Sequence, residues 1–220
     1  MPLKIIITGV TGMVGEGVLH ECLLSPEIEK ILVVTRKPSG TIHPKLSEII
    51  LADFFNPSSI IKSLSGYDAC FFCLGVSSVG MKKEDYEHMT YDLTMGFAKT
   101  VLQVNPGMQF CYISGASTDS TEKGRMHWAR VKGKTENDLQ KLGFSQVWLF
   151  RPAALKTTKG MKNTLPAYKW FSWLFPLIEI FSPNSISSLA QLGQAMIRVV
   201  TRGYDKNILE VKDIKAIINY

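Results

Sequence analysis

Residues Lys4 to Gly17 read KIIITGVTGMVGEG, an apolar, β-branched run that breaks into Gly9, Gly12 and Gly15, spaced three apart. Ile5-Ile6-Ile7 suits a strand of a parallel sheet, which is buried on both faces and need not alternate. The glycines that follow suit a tight turn opening a helix. Without a Cβ, glycine tolerates strained dihedrals and lets a phosphate approach the backbone, where the N–H groups and dipole of a helix N-terminus favour an anion. The spacing is Gly-x-x-Gly-x-x-Gly rather than the Gly-x-Gly-x-x-Gly of many dinucleotide sites; the order strand, turn, helix is what makes it a phosphate site.

The chain then repeats this alternation. Val14, Val18, Leu19, Cys22 and Leu23 recur at helical spacing up to Ser25-Pro26, and Ile31 to Thr35 (ILVVT) is a second strand. It ends in Arg36-Lys37, where a dinucleotide fold meets the adenosine ribose. An acidic residue there accepts the 2′-hydroxyl of NAD, whereas an arginine suits the 2′-phosphate of NADP. Arg36 is the expected phosphate contact, because a guanidinium pairs bidentately with phosphate oxygens, and Lys37 the second. NAD stays open as the alternative, with Arg36 stacked on adenine.

Ser47 to Ala52 gives a third strand ending at Asp53, and Pro57 starts a helix. Asp68 to Leu74 (DACFFCL) is a buried fourth strand that runs into the small-residue loop Gly75-Val-Ser-Ser78. Glu84 to Val104 reads as one long helix closed by Asn105-Pro-Gly, Gln109 to Ile113 as strand five, and Ser114-Gly-Ala-Ser117-Thr118 as a polar loop at its carboxyl end. His127 to Leu142 reads as a helix that sets Trp128 and Lys132 one turn apart on one face, and Gln146 to Phe150 as strand six. This alternation predicts a single α/β domain over residues 1–220, a doubly wound parallel sheet of the Rossmann type with helices on both faces and its ligand at the carboxyl ends of the strands. Beyond residue 150 the pattern changes to an aromatic, proline-containing stretch, a helix over Ser185 to Arg202 and a last strand over Ile208 to Val211.

With 220 residues, 45% of them hydrophobic, the chain can bury a sizeable core. The net charge is +6, and its densest clusters, Lys123-Arg125 with Arg130 to Lys134, are bounded by Glu122 and Glu136, which reads as a solvated helix face; no nucleic-acid partner is expected. Cys70-Phe-Phe-Cys73 matches C-x-x-C but lies in a strand, where residues three apart point to opposite faces, so packing is expected rather than a redox or metal pair. With Cys22 and Cys111 these are reduced thiols, and with no secretory leader preceding the first strand they point to the cytoplasm. Between Lys169 and Glu179 the nine residues WFSWLFPLI are uncharged, well short of the roughly 20 that a membrane-spanning helix needs. Three readings of residues 165–181 stay open: a lid over a substrate cleft, a homodimer or partner surface, or peripheral membrane contact through Trp170 and Trp173 with Lys162 and Lys169 as anchors.

Taken together, TGVTGMVG (8–15), TRKP (35–38), Asp53, CLG (73–75), YISGAS (112–117), VKGKTE (131–136) and RPA (151–153) resemble the short-chain dehydrogenase/reductase superfamily over nearly the whole chain. The chain is most similar to its atypical members, the NAD(P)-binding Tat-interacting-protein and NAD-dependent epimerase/dehydratase-like group. That resemblance implies that Gly9, Thr11, Gly12, Met13, Val14 and Gly15 surround the cofactor pyrophosphate and that Arg36 and Lys37 meet the 2′-phosphate. It places Asp53 at the adenine amine, Leu74 and Gly75 against the adenosine half, Lys132 at the nicotinamide ribose, and Pro152 with Ala153 beside the nicotinamide. Arg151 is left structural.

The same resemblance exposes a departure. Catalysis in the family uses a Tyr-x-x-x-Lys pair with a serine after strand five; Ser114 and Lys132 are present, but Trp128 holds the tyrosine position. An indole N–H donates a hydrogen bond and does not titrate usefully, so it is no general acid. Lys132 would need a strongly depressed pKa to take over the proton. His127 points about 100° away from Trp128 on a helix, and Tyr168 reaches the site only if its segment is a lid. Two functions stay open: an NADP-dependent oxidoreductase or epimerase relative acting on an apolar carbonyl compound, and a non-catalytic NADP(H)-binding redox sensor or partner-binding protein.

Overall fold

Ile5, Ile6 and Ile7 are fully buried because the strand they form lies in the middle of the sheet. The computed structural model describes residues 2–158, 160–163 and 185–219. In it β1 (Leu3–Thr8) pairs in parallel with β2 (Ile28–Thr35) on one side and β4 (Ala69–Phe72) on the other. β3 (Leu46–Ile50), β5 (Gln109–Ile113), β6 (Gln146–Arg151) and β9 (Ile208–Glu210) complete a seven-stranded sheet in the order β3-β2-β1-β4-β5-β6-β9, every pair parallel. This is the Rossmann-type doubly wound sheet expected from the alternation. Its strand order reverses between β1 and β4, which is where such folds open a crevice.

Successive strand residues serve opposite layers. Ile5, Ile7, Val33, Phe71 and Phe150 pack with α1 (Met13–Leu24), α5 (Leu189–Arg202) and α6 (Val211–Ile217). Ile6, Leu32, Phe72, Phe110 and Leu149 pack with α3 (Leu93–Val104) and with Leu139 of α4 (His127–Leu139). Each fully buried Ile, Leu or Phe removed from water contributes about 1.5–3 kcal/mol, so the two layers are the main hold on the fold. Cys70 lies in one layer and Cys73 packs against the other, so C-x-x-C is split by the sheet. All four thiols are unpaired, and burial raises their pKa values, as expected of packing groups.

Some expected boundaries move. The helix expected over Glu84 to Val104 is broken into α2 (Lys83–Glu87), a π turn (His88–Asp92) and α3. Above α4, the Tyr91 hydroxyl donates to Asp138 at 2.8 Å and the Lys134 ammonium sits 3.5 Å from the Tyr91 ring centre. The stretch from Pro57 is a 3-10 helix to Leu64 rather than an α-helix. The last long helix starts at Leu189 rather than Ser185, because Ile186–Ser188 forms β8 against β7 (Ala154–Lys156). Ser188 and Gln191 then form a capping box, with Ser188 Oγ accepting from the Gln191 N–H at 3.0 Å and Gln191 Oε1 from the Ser188 N–H at 2.8 Å. α6 was not foreseen; β9 runs into it directly. No helix of the described residues is long and apolar enough to cross a membrane.

Candidate functional site

Every strand of the main sheet runs the same way, so the segments after β1 to β6 share one edge. There the structure gathers Gly9–Gly15, Arg36 with Lys37, Asp53, Leu74 with Gly75, Ser114, and Pro152 with Ala153. Lys132 joins them from α4, its Nζ donating to the carbonyl of Ser114 at 2.5 Å and reaching that of Ile113 at 3.5 Å.

The three glycines have different causes. Gly9 has φ +74°, and a Cβ on it would lie 2.5 Å from the Cys73 carbonyl oxygen. A Cβ on Gly15 would lie 2.2 Å from the Gly9 carbonyl oxygen, so α1 closes onto the turn only with glycine there. Gly12 is not demanded by packing: a Cβ on it would meet Gly9 O at 3.4 Å and nothing else within 4 Å. It is exposed, stands at the start of α1 in extended conformation, and no side chain caps the helix. The first N–H groups of α1 therefore point outward beside an open glycine, which is the cradle a pyrophosphate fits. Met13 is buried in the core, so what it offers a ligand is its backbone N–H.

Beside this turn lies a cavity of about 460 Å³ lined by Thr11, Arg36, Lys37 and Ala52. Thr35 Oγ1 donates to the Lys37 carbonyl at 2.9 Å and shapes the turn that exposes the two cations. Among the described residues no carboxylate pairs with either, so both charges are available to an anion. Asp53 is exposed and accepts the Phe55 N–H through Oδ1 at 2.9 Å, leaving Oδ2 for a donor. Leu74 is half-buried against the α3 layer and Gly75 is exposed with nothing within 4 Å of its Cβ position. These residues fit a dinucleotide laid across the strand ends.

At the far end the chemistry centres on α4. Lys132 is half-buried, and burial pushes its pKa down to about 8 against the opposing pull of Glu136. Glu136, one turn further on, is fully buried. Its Oε1 accepts from Ser114 Oγ at 2.5 Å and from Arg151 Nε at 3.1 Å, and its Oε2 pairs with Arg151 Nη2. Arg151 also donates to Ser120 Oγ at 2.5 Å and reaches Glu210 at 3.5 Å. Burial alone would lower the guanidinium pKa, yet the carboxylates of Glu136 and Glu210 raise it. Ser114 is thus placed at the end of β5 as expected, but its hydroxyl hydrogen is directed at Glu136. Arg151, left structural on the sequence, is engaged with Glu136, Ser120 and Glu210. Pro152 accepts the Ala116 N–H at 2.8 Å and ties the loops after β5 and β6 together.

Trp128 is half-buried one turn before Lys132, with no titrating group in its place. His127 lies on another face, lining a separate cavity of about 230 Å³ with Glu87, Glu122, Arg130, Val131 and Lys134. Tyr112 is buried in β5, its phenol pKa raised by burial. Tyr168 and the expected lid or contact segment 165–181 lie outside the described residues. Sequence reasoning missed Gly133 and Ser117. A Cβ on Gly133 would lie 1.8 Å from the Asp119 carbonyl oxygen, so the loop after β5 seats on α4 through that glycine. Ser117, exposed in that loop, has φ +66°, a left-handed conformation that non-glycine residues adopt at a cost of about 1–3 kcal/mol and that clusters at functional sites. The helical spacing of Lys132 and Glu136 was a usable signal; the burial of Glu136 was not readable.

Comparison with known proteins agrees with this fold. The NAD dependent epimerase/dehydratase family matches residues 5–120. "Leucinostatins biosynthesis cluster protein T" of Purpureocillium lilacinum is 27% identical, over 94% of this chain and 88% of its own length. "Protein FMP52, mitochondrial" of Candida albicans is 25% identical over 84% of each chain. A short-chain dehydrogenase from Burkholderia cenocepacia, solved in complex with NADP, superposes with a TM-score of 0.65 at 12% identity, over 98% of this chain and 92% of that one. The cytoplasmic expectation is corrected here: several fungal relatives are named as mitochondrial proteins. An apolar first strand and reduced thiols describe the fold and its redox state, and neither identifies a compartment.

Proposed function

The chain belongs to the NAD dependent epimerase/dehydratase family, and from that premise we propose that it binds NADP(H) and reduces an apolar carbonyl compound with Lys132 as the proton source. The pyrophosphate rests on the N–H groups of Gly9 to Gly15 with Thr11 beside it. Arg36 and Lys37 take the 2′-phosphate, Asp53 the adenine amine, and Leu74 with Gly75 the adenosine half. Lys132 also reaches the nicotinamide ribose, and Pro152 with Ala153 flank the nicotinamide, which when bound supplies the hydride. The observation that carries the reading is the Lys132 ammonium, held by the Ser114 carbonyl at 2.5 Å with its pKa brought down to about 8. A group titrating there gives a proton to a forming alkoxide and recovers it from water near neutral pH, without a phenol.

Two results are expected. Arg36→Asp should weaken NADPH binding at least tenfold while leaving NADH binding within about threefold, because it removes a bidentate phosphate contact and supplies a ribose acceptor; equal losses for both cofactors in paired titrations would place the 2′-phosphate elsewhere. In a carbonyl panel with NADPH, reduction should fall as pH rises through about 8, where the acid form of Lys132 is lost. Lys132→Met should lower the rate by about 10²–10⁴-fold. A flat profile from pH 7 to 9.5 would remove Lys132 as the acid. A second reading, NADP(H) binding without turnover as a redox sensor or partner-binding protein, is favoured by Trp128 and by the Ser114 hydroxyl being directed at Glu136. Turnover that appears with Trp128→Tyr and is absent from the native protein would select it.

A further inference from the structure

Glu136 is a fully buried carboxylate that neither hydride nor proton transfer uses. It does not touch the cofactor cavity. It gathers donors from two strand ends: Ser114 after β5 through Oγ at 2.5 Å, and Arg151 at the end of β6 through both Nε and Nη2. The Ser114 N–H donates to the Phe150 carbonyl at 2.9 Å, with Oγ 3.2 Å from the same oxygen, so β5, β6 and α4 meet at this one carboxylate. The carbonyls that hold the Lys132 ammonium, those of Ile113 and Ser114, belong to the same strand end. We propose that Glu136 is the positioning residue for Lys132: by fixing the end of β5 through Ser114 and Arg151, and by facing the ammonium from one turn along α4, it holds the Lys132 nitrogen where the reaction needs it.

The inference rests on the reading of Lys132 as proton source, and its groups are accounted for from each side. On α4 the charge bearing on Lys132 is Glu136. From β5 come two uncharged carbonyls, and the Tyr112 phenol, which is buried near Glu136. From β6 comes Arg151, already engaged with Glu136. Losing the Glu136 charge therefore leaves burial unopposed, and the ammonium gives up its proton at lower pH than in the native protein.

The test reads Lys132 itself, without turnover. Pulse acylation with acetic anhydride across pH 6 to 10, mapped by peptide mass spectrometry, gives the titration of Lys132 in the full chain. Glu136→Gln should move the midpoint to lower pH, and a one-unit shift from about 8 would raise the Lys132 acylation rate at pH 7 about fivefold. Ser114→Ala removes one anchor but leaves the Glu136 charge and its Arg151 partner in place, and should move the midpoint less than Glu136→Gln. Glu136→Asp, which keeps the charge one methylene further off, should give a smaller shift and serves if the glutamine variant does not fold. A native midpoint in folded Glu136→Gln or, failing that, in Glu136→Asp would overturn the proposal, and so would an equal shift in Ser114→Ala. Protection of Lys132 by NADPH is scored separately: its absence counts against the cofactor reading while the midpoints still decide the role of Glu136.

Discussion

Gly15→Ala is expected to destabilise the fold by about 3 kcal/mol or more and to abolish NADPH binding, whereas Gly12→Ala leaves stability within about 0.5 kcal/mol of native and still loses at least tenfold in affinity. A methyl on Gly15 would lie 2.2 Å from the Gly9 carbonyl oxygen and 2.4 Å from its carbon, both backbone atoms that no rotamer change can move aside. α1 would have to lift from the turn. The same lift would turn the first N–H groups of the helix away from the phosphate. On Gly12 the methyl meets Gly9 O at 3.4 Å, an ordinary contact, but it stands at the uncapped helix start. Urea unfolding and NADPH fluorescence titration of the two variants separate packing from binding. A native urea midpoint for Gly15→Ala would mean that α1 does not close on the turn. Native NADPH affinity in Gly12→Ala would move the phosphate site away from this helix.

The sequence carried the sheet because its strands show apolar runs, and β1, β4 and β5 add a small-residue loop at the carboxyl end. Ile5-Ile6-Ile7 before Gly9 and DACFFCL before Gly75 are cases in point. The order β3-β2-β1-β4-β5-β6 is a doubly wound arrangement compatible with the right-handed crossovers expected, and the structure supplies the order itself. What the periodicity could not give was hydrogen bonding that depends on a distant partner. Ile186 to Ser188 reads as the start of a helix until β7 is there to pair with it, and Tyr86 to Val101 keeps a helical stripe straight through the π turn at His88–Asp92.

The site divides in the same way. The cofactor half was legible because its groups are backbone turns and exposed cations, whose chemistry is local: Gly9, Arg36 and Lys37 stand where their neighbours in sequence put them. The reactive half depends on side chains meeting across elements. Ser114 stood as the catalytic serine after strand five, and its hydroxyl meets Glu136 at 2.5 Å. Gly133, inside α4, is the seat of the loop after β5. Trp128 was legible as a departure, and the lowered pKa of Lys132 that can answer it comes from burial, which no spacing encodes.

Arg151→Met is expected to cost about 3–5 kcal/mol, the largest stability loss of any single polar side chain in this region, because it strands a fully buried carboxylate with Ser114 as its remaining partner among the contacts described. The double variant Glu136→Gln/Arg151→Met should recover most of that loss. An amide beside Ser114 carries no charge to desolvate, and the methionine fills the space of the arginine stem, so the comparison isolates the orphaned charge from lost packing. Urea midpoints for the native chain, both single variants and the double at pH 7 complete the cycle. If the single and double variants are equally destabilised, the arginine contributes through packing and its bonds to Ser120 and Glu210, and the carboxylate does not depend on it. If the double recovers, the loss in Arg151→Met is the orphaned charge of Glu136, and the fold keeps the pair despite its desolvation cost at the place where Lys132 sits.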